Sequence, residues 1–364
     1  MILKDVIIKF NKSTIKAGDG NQEGKYPLYT CSTIINKYLD NYLFNDEAII
    51  LGTGGNPVIN YCNGKFSVST DCLTIKANAQ FLTKYLYYYL IGNINKIETM
   101  FRGAGLKHLN KNELLEMKID NIDKEKQIKI VNQLDIIKDI MDRKEQQLIG
   151  LDEFIKSQFV EMFGDININD KLWKEDILRK HLKVIGGYAF KSSEFKNSGI
   201  PILRIGNINT GYFRPKDLMF WNEEDKLKNY IIYPNDIVMS LTGTVGKDDY
   251  GNVCIMGRDY EKYYLNQRNA KLELKDTLDK IYISYALRVP EIKKRLTGIS
   301  RGVRQANIAN KDIENLYIPI PPIELQNQFA DIVKQIDKQK FKIEKSLKEM
   351  KKLNESLMNK YFGE

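Results

Sequence analysis

The chain has 364 residues, 43% hydrophobic and 28% charged, which is enough to bury more than one core and leaves no low-complexity tract of the kind that marks disorder. A net charge of +9 suits a polyanionic partner, whereas the longest apolar runs, 85–91 and 230–233, are far too short to cross a bilayer. Cys31, Cys62, Cys72 and Cys254 show no Cys-x-x-Cys spacing and the only histidines are His108 and His181, so a metal site is not expected and the thiols read as free.

Residues 1–122 read as a mixed, strand-rich segment. Ala48-Ile49-Ile50-Leu51 is a short strand running into a Thr53-Gly54-Gly55 loop, Phe66-Ser67-Val68 is another, a short helix follows over 83–91, and a turn at Arg102-Gly103 leads to strand-like 117–119. Residues 123–164 read as one long helix with heptad a positions Leu134, Met141, Leu148, Ile155 and Met162, and d positions Ile130, Ile137, Lys144, Leu151 and Gln158. Gly150 is its only interior glycine, and Gly164 is placed to supply a left-handed cap. Residues 165–322 repeat the mixed pattern, with strands at 236–240 and 270–274, a Thr242-Gly243-Thr244 loop, a helix over 281–287 and strand-like 316–318. Residues 323–364 form the second long helix, with Phe329, Val333, Ile336, Lys340, Ile343, Leu347, Met350, Asn354, Leu357 and Tyr361 on its seam and a Phe362-Gly363 end. Each helix should be roughly 60 Å long. The pattern leaves their relative direction open, and Lys144, Lys340 and Asn354 either fix the register or mark a partner-facing side.

The chain is a tandem duplication. At a constant offset of 199 residues Arg102-Gly103 falls on Arg301-Gly302, Glu125 on Glu324, Gln127 on Gln326, Leu148 on Leu347 and Phe163-Gly164 on Phe362-Gly363. The offset slips to about 189 around the Thr-Gly loops, which places about ten extra residues in the second copy, mostly within 245–264. The two tails together hold 16 basic and 16 acidic residues, leaving 40 basic against 31 acidic in the mixed segments, so the entire positive excess lies there. That is the distribution expected of a polyanion-binding surface.

No catalytic motif stands out: there is no phosphate-binding Gly-x-x-x-x-Gly-Lys-Ser/Thr, no adenine-methyltransferase Asn-Pro-Pro-aromatic segment and no helix with two histidines at i and i+4. Asp236 with Glu273-Leu274-Lys275 is the one weak nuclease-like element, and it reads equally as an alternating half-buried strand. The candidate contacts are basic and polar residues beside glycine, where backbone amides can approach phosphates. In the first copy they are Thr53, Gly54, Asn56, Lys65, Arg102 and Lys107, with Gly55 and His108 beside them; in the second they are Arg204, Thr242, Thr244, Lys247, Arg268, Arg301, Arg304 and Gln305, with Asn207, Asn266, Gln267 and Asn307 beside them. Arginine reads guanine edges, Asn or Gln reads adenine, and Lys or Thr holds phosphate. Arg102 and Arg301 fit equally well as caps of the neighbouring helix or partners of its acids.

Certain runs resemble a known family. Arg301-Gly302-Val303-Arg304-Gln305, followed by Leu316-Tyr317-Ile318-Pro319-Ile320-Pro321-Pro322-Ile323-Glu324-Leu325-Gln326, looks like the approach to a helical region of type I restriction–modification specificity subunits. Gly199-Ile200-Pro201-Ile202-Leu203-Arg204-Ile205-Gly206-Asn207-Ile208, Ser240-Leu241-Thr242-Gly243-Thr244-Val245-Gly246 and Leu265-Asn266-Gln267-Arg268 look like its target recognition domain. The first copy departs from this pattern, with Asn121-Ile122-Asp123 in place of the prolines, Leu106 opposite Gln305, and no counterpart of the Trp173 opening.

The resemblance implies an α+β fold: two mixed α/β target recognition domains, 1–122 and 165–322, alternating with two long helices, 123–164 and 323–364, packed as an antiparallel coiled-coil spacer with pseudo-two-fold symmetry. It implies a non-catalytic DNA-binding subunit that reads a split, asymmetric target in double-stranded DNA. Two adenine-N6 methyltransferase subunits would dock on it, and two motor–nuclease restriction subunits can join. S-adenosylmethionine, ATP and magnesium would belong to those partners, with no cofactor in this chain, no membrane and a cytoplasmic, prokaryotic setting. Two other classes remain in view: a catalytic fused methyltransferase–nuclease or small nuclease, and a coiled-coil scaffold that binds no nucleic acid.

Overall fold

The computed structural model describes residues 1–208, 211–247, 249–298 and 305–363. Its contacts group into two compact units, Met1–Gln147 with Ile343–Glu364, and Leu148–Lys342.

In the first unit, α1 (Leu3–Val6) leads into β1 (Ile7–Lys9), β2 (Tyr26–Tyr29), β3 (Tyr38–Leu39), β4 (Phe44–Gly52), β5 (Val58–Val68) and β6 (Cys72–Ala77), a six-stranded sheet in the order β1-β6-β4-β5-β2-β3. The spine is the β4–β5 hairpin, in register from Phe44↔Phe66 to Gly52↔Val58, while β2 joins β5 in parallel. Successive β4 residues face opposite ways. Ile49 and Leu51 pack under α2 (Thr83–Gly92), whereas Ala48 and Ile50 join Phe66, Val68 and Tyr29 on the other face. After α3 (Ile94–Glu98) come β7 (Phe101–Arg102), β8 (His108–Leu109), α4 (Lys111–Leu115) and the long helix α5 (Lys124–Phe163). Ile130, Val131 and Leu134 of α5, with Met358 and Phe362 from the C-terminal end, complete the core beneath α2.

The second unit repeats the plan with β9 (Glu175–Ile177), β10 (Leu182–Gly186), β11 (Ile200–Leu203), β12 (Met219–Trp221), β13 (Ile231–Ile232), β14 (Ile237–Ser240), β15 (Thr242–Thr244), β16 (Val253–Ile255), β17 (Tyr263–Leu265) and β18 (Asn269–Leu274). The strand order β10-β18-β14-β16 matches β1-β6-β4-β5, and the parallel pair β11·β17 matches β2·β5, so β16 and β17 together replace the long β5. Then follow α6 (Lys280–Ala286), α7 (Pro290–Thr297), β19 (Gln305–Asn307), α8 (Asn310–Glu314), β20 (Tyr317–Pro319) and α9 (Ile323–Phe362). Phe159 and Phe163 of α5, Tyr282 and Tyr285 of α6 and Phe329 of α9 form an aromatic cluster in this core.

Helices α5 and α9 are both 40 residues long and start 199 residues apart. Every expected seam residue is buried or half-buried, including Lys144, Lys340 and Asn354. In the first unit Tyr361 hydrogen-bonds Gln133 and Lys351 lies 3.1 Å from Glu145, so the two helical segments run antiparallel there. In the second, Lys340 lies 2.6 Å from Asp152 and Phe329 packs on Phe159, again antiparallel. Helix α5 passes through Gly150 unbroken and ends at Gly164, whose φ of +75° is the left-handed cap expected. Gly363 is not left-handed, although its amide still reaches the Asn359 carbonyl at 2.9 Å.

One fully buried glutamine fixes each long helix to its own unit. Gln127 accepts from the Leu82 amide and donates to the Gln80 and Ile122 carbonyls; Gln326 accepts from the Asp279 amide and donates to the Thr277 and Pro321 carbonyls. A side chain that carries both a donor and an acceptor can join the first turn of the long helix to the start of α2 or α6, which a carboxylate or an apolar residue cannot.

Candidate nucleic-acid interface

Matching hydrogen bonds align the two copies residue by residue. The Thr53 amide donates to the Asp71 carbonyl at 2.9 Å, and the Leu241 amide to the Arg268 carbonyl at 2.8 Å. Leu109 donates to the Thr53 carbonyl and Ile308 to that of Leu241. Thr53 therefore corresponds to Leu241 and not to Thr242, one residue away from the correspondence expected from the sequence. The strand pairs β2·β5 and β11·β17 likewise match Tyr29 with Leu203. Measured this way the offset is 174 at β2/β11, 188 at β4/β14 and 197 at β6/β18. The step from 188 to 197 agrees with the insertion expected mostly within 245–264, and a further, larger one precedes β14, in the segment carrying β12 and β13.

In the first copy the ladder gathers most of the expected residues. Gly54 bridges His108, the Gly55 amide donates to the Lys107 carbonyl, and Arg102 pairs with His108 across β7–β8. Thr53, Gly54, Asn56, Arg102 and Lys107 thus share one end of the sheet. Lys107 and Asn56 are exposed, whereas the Thr53 hydroxyl is spent on the Asp71 carbonyl at 2.8 Å. Arg102 is exposed but holds Glu113 of α4 at 2.7 Å, the acid-pairing alternative. Lys65 stands apart, opposite Asn45, with its ammonium 4.8 Å from the centre of the Tyr42 ring. Gly52 explains the close approach of a further segment: a Cβ there would stand 3.0 Å from the Cys31 Cα, so only glycine lets Cys31 lie on β4 beside the Gly52↔Cys72 pair. The neighbouring Cys72 thiol holds the Cys31 thiol down to about 6, despite partial burial.

In the second copy two groups form. Arg204 and Arg268 line a cavity of about 450 Å³ with Phe190, Lys216, Asn266 and Gln267. Arg204, Lys216 and Arg268 are exposed, and no hydrogen bond or ion pair takes their charged groups among the described residues. Asn207, a base-reading candidate by type, is instead buried and donates to the Arg214 and Lys216 carbonyls, so it builds the wall. The second group sits on the β15–β19 ribbon, where Thr244 pairs with Gln305 in the backbone register. Thr242 is buried there, and Lys247 is exposed just after a left-handed Gly246. Partial burial pushes the Asp249 carboxyl up, but the Thr244 amide and hydroxyl, at 2.8 and 2.9 Å, hold it below the usual carboxylate range. Arg301 and Arg304 lie outside the described residues. Lys216 was missed by sequence reasoning because nothing in its neighbourhood distinguishes it from other surface lysines.

The residues of the nuclease-like element are engaged in the sheet and its flanks. Lys271 occupies Asp236 at 2.9 Å, Lys275 donates to the Lys180 carbonyl, and Glu273 is an exposed residue facing Lys183 across the ladder. Among the described residues no cluster of three or more His, Cys, Asp or Glu is arranged to hold a metal ion, and no helix is long and apolar enough to cross a membrane.

Comparison with known proteins bears on the same arrangement. The MjaVIII type I restriction enzyme specificity subunit of Methanocaldococcus jannaschii is 24% identical over 372 residues, spanning 92% of this chain and 86% of that protein. The EcoBI specificity subunit of Escherichia coli is 26% identical over 207 residues, 54% of this chain and 39% of that protein. Among solved structures, the type I restriction–modification S subunit of M. genitalium superposes with a TM-score of 0.68 at 16% identity, over 100% of this chain and 96% of that one. A chain from a structural study of complex assembly and conformational transition of the type I R-M system gives 0.57 at 16% identity with the same coverage. The model of the type I restriction modification DNA specificity domain matches residues 1–151 and 173–352, and the chain belongs to that family.

Proposed function

We propose that this chain is the DNA-reading, non-catalytic subunit of a type I restriction–modification complex, working in the cytoplasm of a prokaryote. One head, residues 1–122, reads one half of a split, asymmetric target, and the other head, residues 165–322, reads the other. The helical segments 123–164 and 323–364 act as an antiparallel coiled-coil spacer with pseudo-two-fold symmetry. Two adenine-N6 methyltransferase subunits dock on it and, in complexes that cut DNA, two motor–nuclease subunits join them. Those partners hold S-adenosylmethionine, ATP and magnesium.

The observation that carries this reading is one strand lattice built twice with unlike loops at its sheet ends. A shared lattice with different loops gives two readers of different sequences, because loops vary while the scaffold that aims them stays fixed. The neutral helices support the spacer role, and exposed apolar side chains off the seam, such as Ile136, Val160 and Phe341, support docking of partner helices.

Exchanging residues 165–321 for the corresponding segment of another specificity subunit tests the reading. Methylated adenines mapped genome-wide should then show one altered half-site and one unaltered. A change in both halves, or in neither, overturns independent reading. Duplex affinity should also fall steeply between 50 and 200 mM salt, as phosphate binding requires; a flat response favours a scaffold that does not bind DNA.

A further inference from the structure

The residue-by-residue correspondence has a consequence for the first head. Asn269 donates its side-chain amide to the Leu203 carbonyl, and Cys72 donates its thiol to the equivalent Tyr29 carbonyl. The Asn269 amide reaches the Asn266 carbonyl and the Cys72 amide that of Ser69. With Thr53 on Leu241, these bonds place Thr30, Thr70 and Asp71 where the second head has Arg204, Gln267 and Arg268. A guanidinium in one copy is thus a carboxylate in the other, at one point of one lattice.

Asp71 is built like a reading residue. Its main-chain carbonyl is held by the Thr53 amide and hydroxyl, so its backbone is fixed. Its side chain is exposed, and no hydrogen bond or ion pair among the described residues takes the carboxylate. Arg268 is held in the same way, its carbonyl by Leu241 and its amide by Asn266. A fixed backbone carrying a free polar group loses little freedom on binding. A carboxylate beside a phosphate backbone is repelled, and it only accepts hydrogen bonds, so the contact that offsets the repulsion is an amino group on a base edge.

Resting on the proposed DNA-reading function, we infer that Asp71 reads the first half-site at the position where Arg268 reads the second, with Thr30 and Thr70 beside it, and that the two positions have opposite hydrogen-bond polarity. Asp71 takes a base that presents an amino group in the major groove, cytosine before adenine, and Arg268 takes guanine.

The test co-expresses the chain with its own methyltransferase and maps adenine methylation on a randomised duplex library. Asp71→Ala should relax one position of one half-site by about 5- to 150-fold and leave the other half intact. Asp71→Arg should move the preference at that position to guanine. Arg268→Ala should relax a guanine in the other half. If Arg268→Ala relaxes its half while both Asp71 variants keep theirs at full stringency, the assignment of Asp71 is wrong and the reading function stands. If Asp71→Ala lowers methylation equally on all sequences, Asp71 only supports the loop, and the assignment is again overturned. If no variant alters the motif and exchange of 165–321 does not either, the reading function itself has failed.

Discussion

Gln326→Leu removes a hydrogen-bonding hub without changing side-chain volume much. Gln326 is fully buried and makes bonds of 2.8 Å from the Asp279 amide, 3.3 Å to the Thr277 carbonyl and 2.8 Å to the Pro321 carbonyl. Thr277 lies at the surface, so its carbonyl can turn to water. The Asp279 N–H is half-buried and the Pro321 carbonyl buried, and at about 1–3 kcal/mol for each unmet group the loss is about 2–6 kcal/mol. The assay follows from where the tryptophans lie. The chain has two, Trp173 and Trp221, both within Leu148–Lys342, so their fluorescence reports the second unit while far-ultraviolet dichroism reports the whole chain. In urea, Gln326→Leu should lower the fluorescence midpoint by about 1–2 M. Gln127→Leu, made in the first unit, should leave that midpoint in place and shift only the dichroism. A fluorescence shift below about 0.3 M for Gln326→Leu, or an equal shift for both variants, would refute the idea that each glutamine secures its helix to its own unit.

Two other outcomes are expected. Because the neighbouring Cys72 thiol holds the Cys31 thiol down to about 6, alkylation of Cys31 by iodoacetamide should rise through a midpoint near pH 6. In Cys72→Val the midpoint should return towards about 8.5, read by peptide mass spectrometry; an unchanged midpoint removes Cys72 as the cause. Arg102→Ala breaks an exposed pair and should cost about 0.5 kcal/mol of stability or less. If Arg102 holds a phosphate, duplex affinity should fall alike on all sequences and the salt slope should drop by about one; a loss confined to one sequence makes it a base reader.

How much was legible in the sequence depended on how local the signal was. The long helices were legible because a heptad seam is a short-range pattern, and every seam residue is turned inward. The heads were legible only in part. The strand at 48–51 belongs to a hairpin reaching from Phe44 to Val68, and the parallel pairings of β2 with β5 and of β11 with β17 join segments far apart in the chain. Such pairing depends on loop closure and packing, which no local window contains. For the same reason the insertion before β14 left no mark in the sequence, whereas the one after it did. Asn207 looked like a reader because asparagine can read adenine, yet burial turned it into loop scaffold. Asp71 was passed over because an acid is not sought on a basic surface, and only the hydrogen-bond lattice puts it opposite Arg268.

The parts that repeat faithfully and the parts that differ fall into two mechanical roles. Gln127 and Gln326, the helix spans they anchor and the short helices α4 and α8 keep one spacing of 199 residues. The segments between β2 and β6, and between β11 and β18, change length and charge. A reader of split targets needs this division. Three hydrogen bonds from one buried side chain fix the first turn of the helix to its head, so a loop can exchange Asp for Arg without moving the helix that carries it. Had the glutamine been an apolar residue, the same packing could slide by part of a turn, because apolar contacts carry no fixed direction. A shift of one residue along a helix is about 1.5 Å, and a displacement on the order of 1 Å is enough to spoil a constellation that must match a base edge. The directional bonds, more than the apolar seam, are therefore what allow the heads to change their sequence preference one residue at a time.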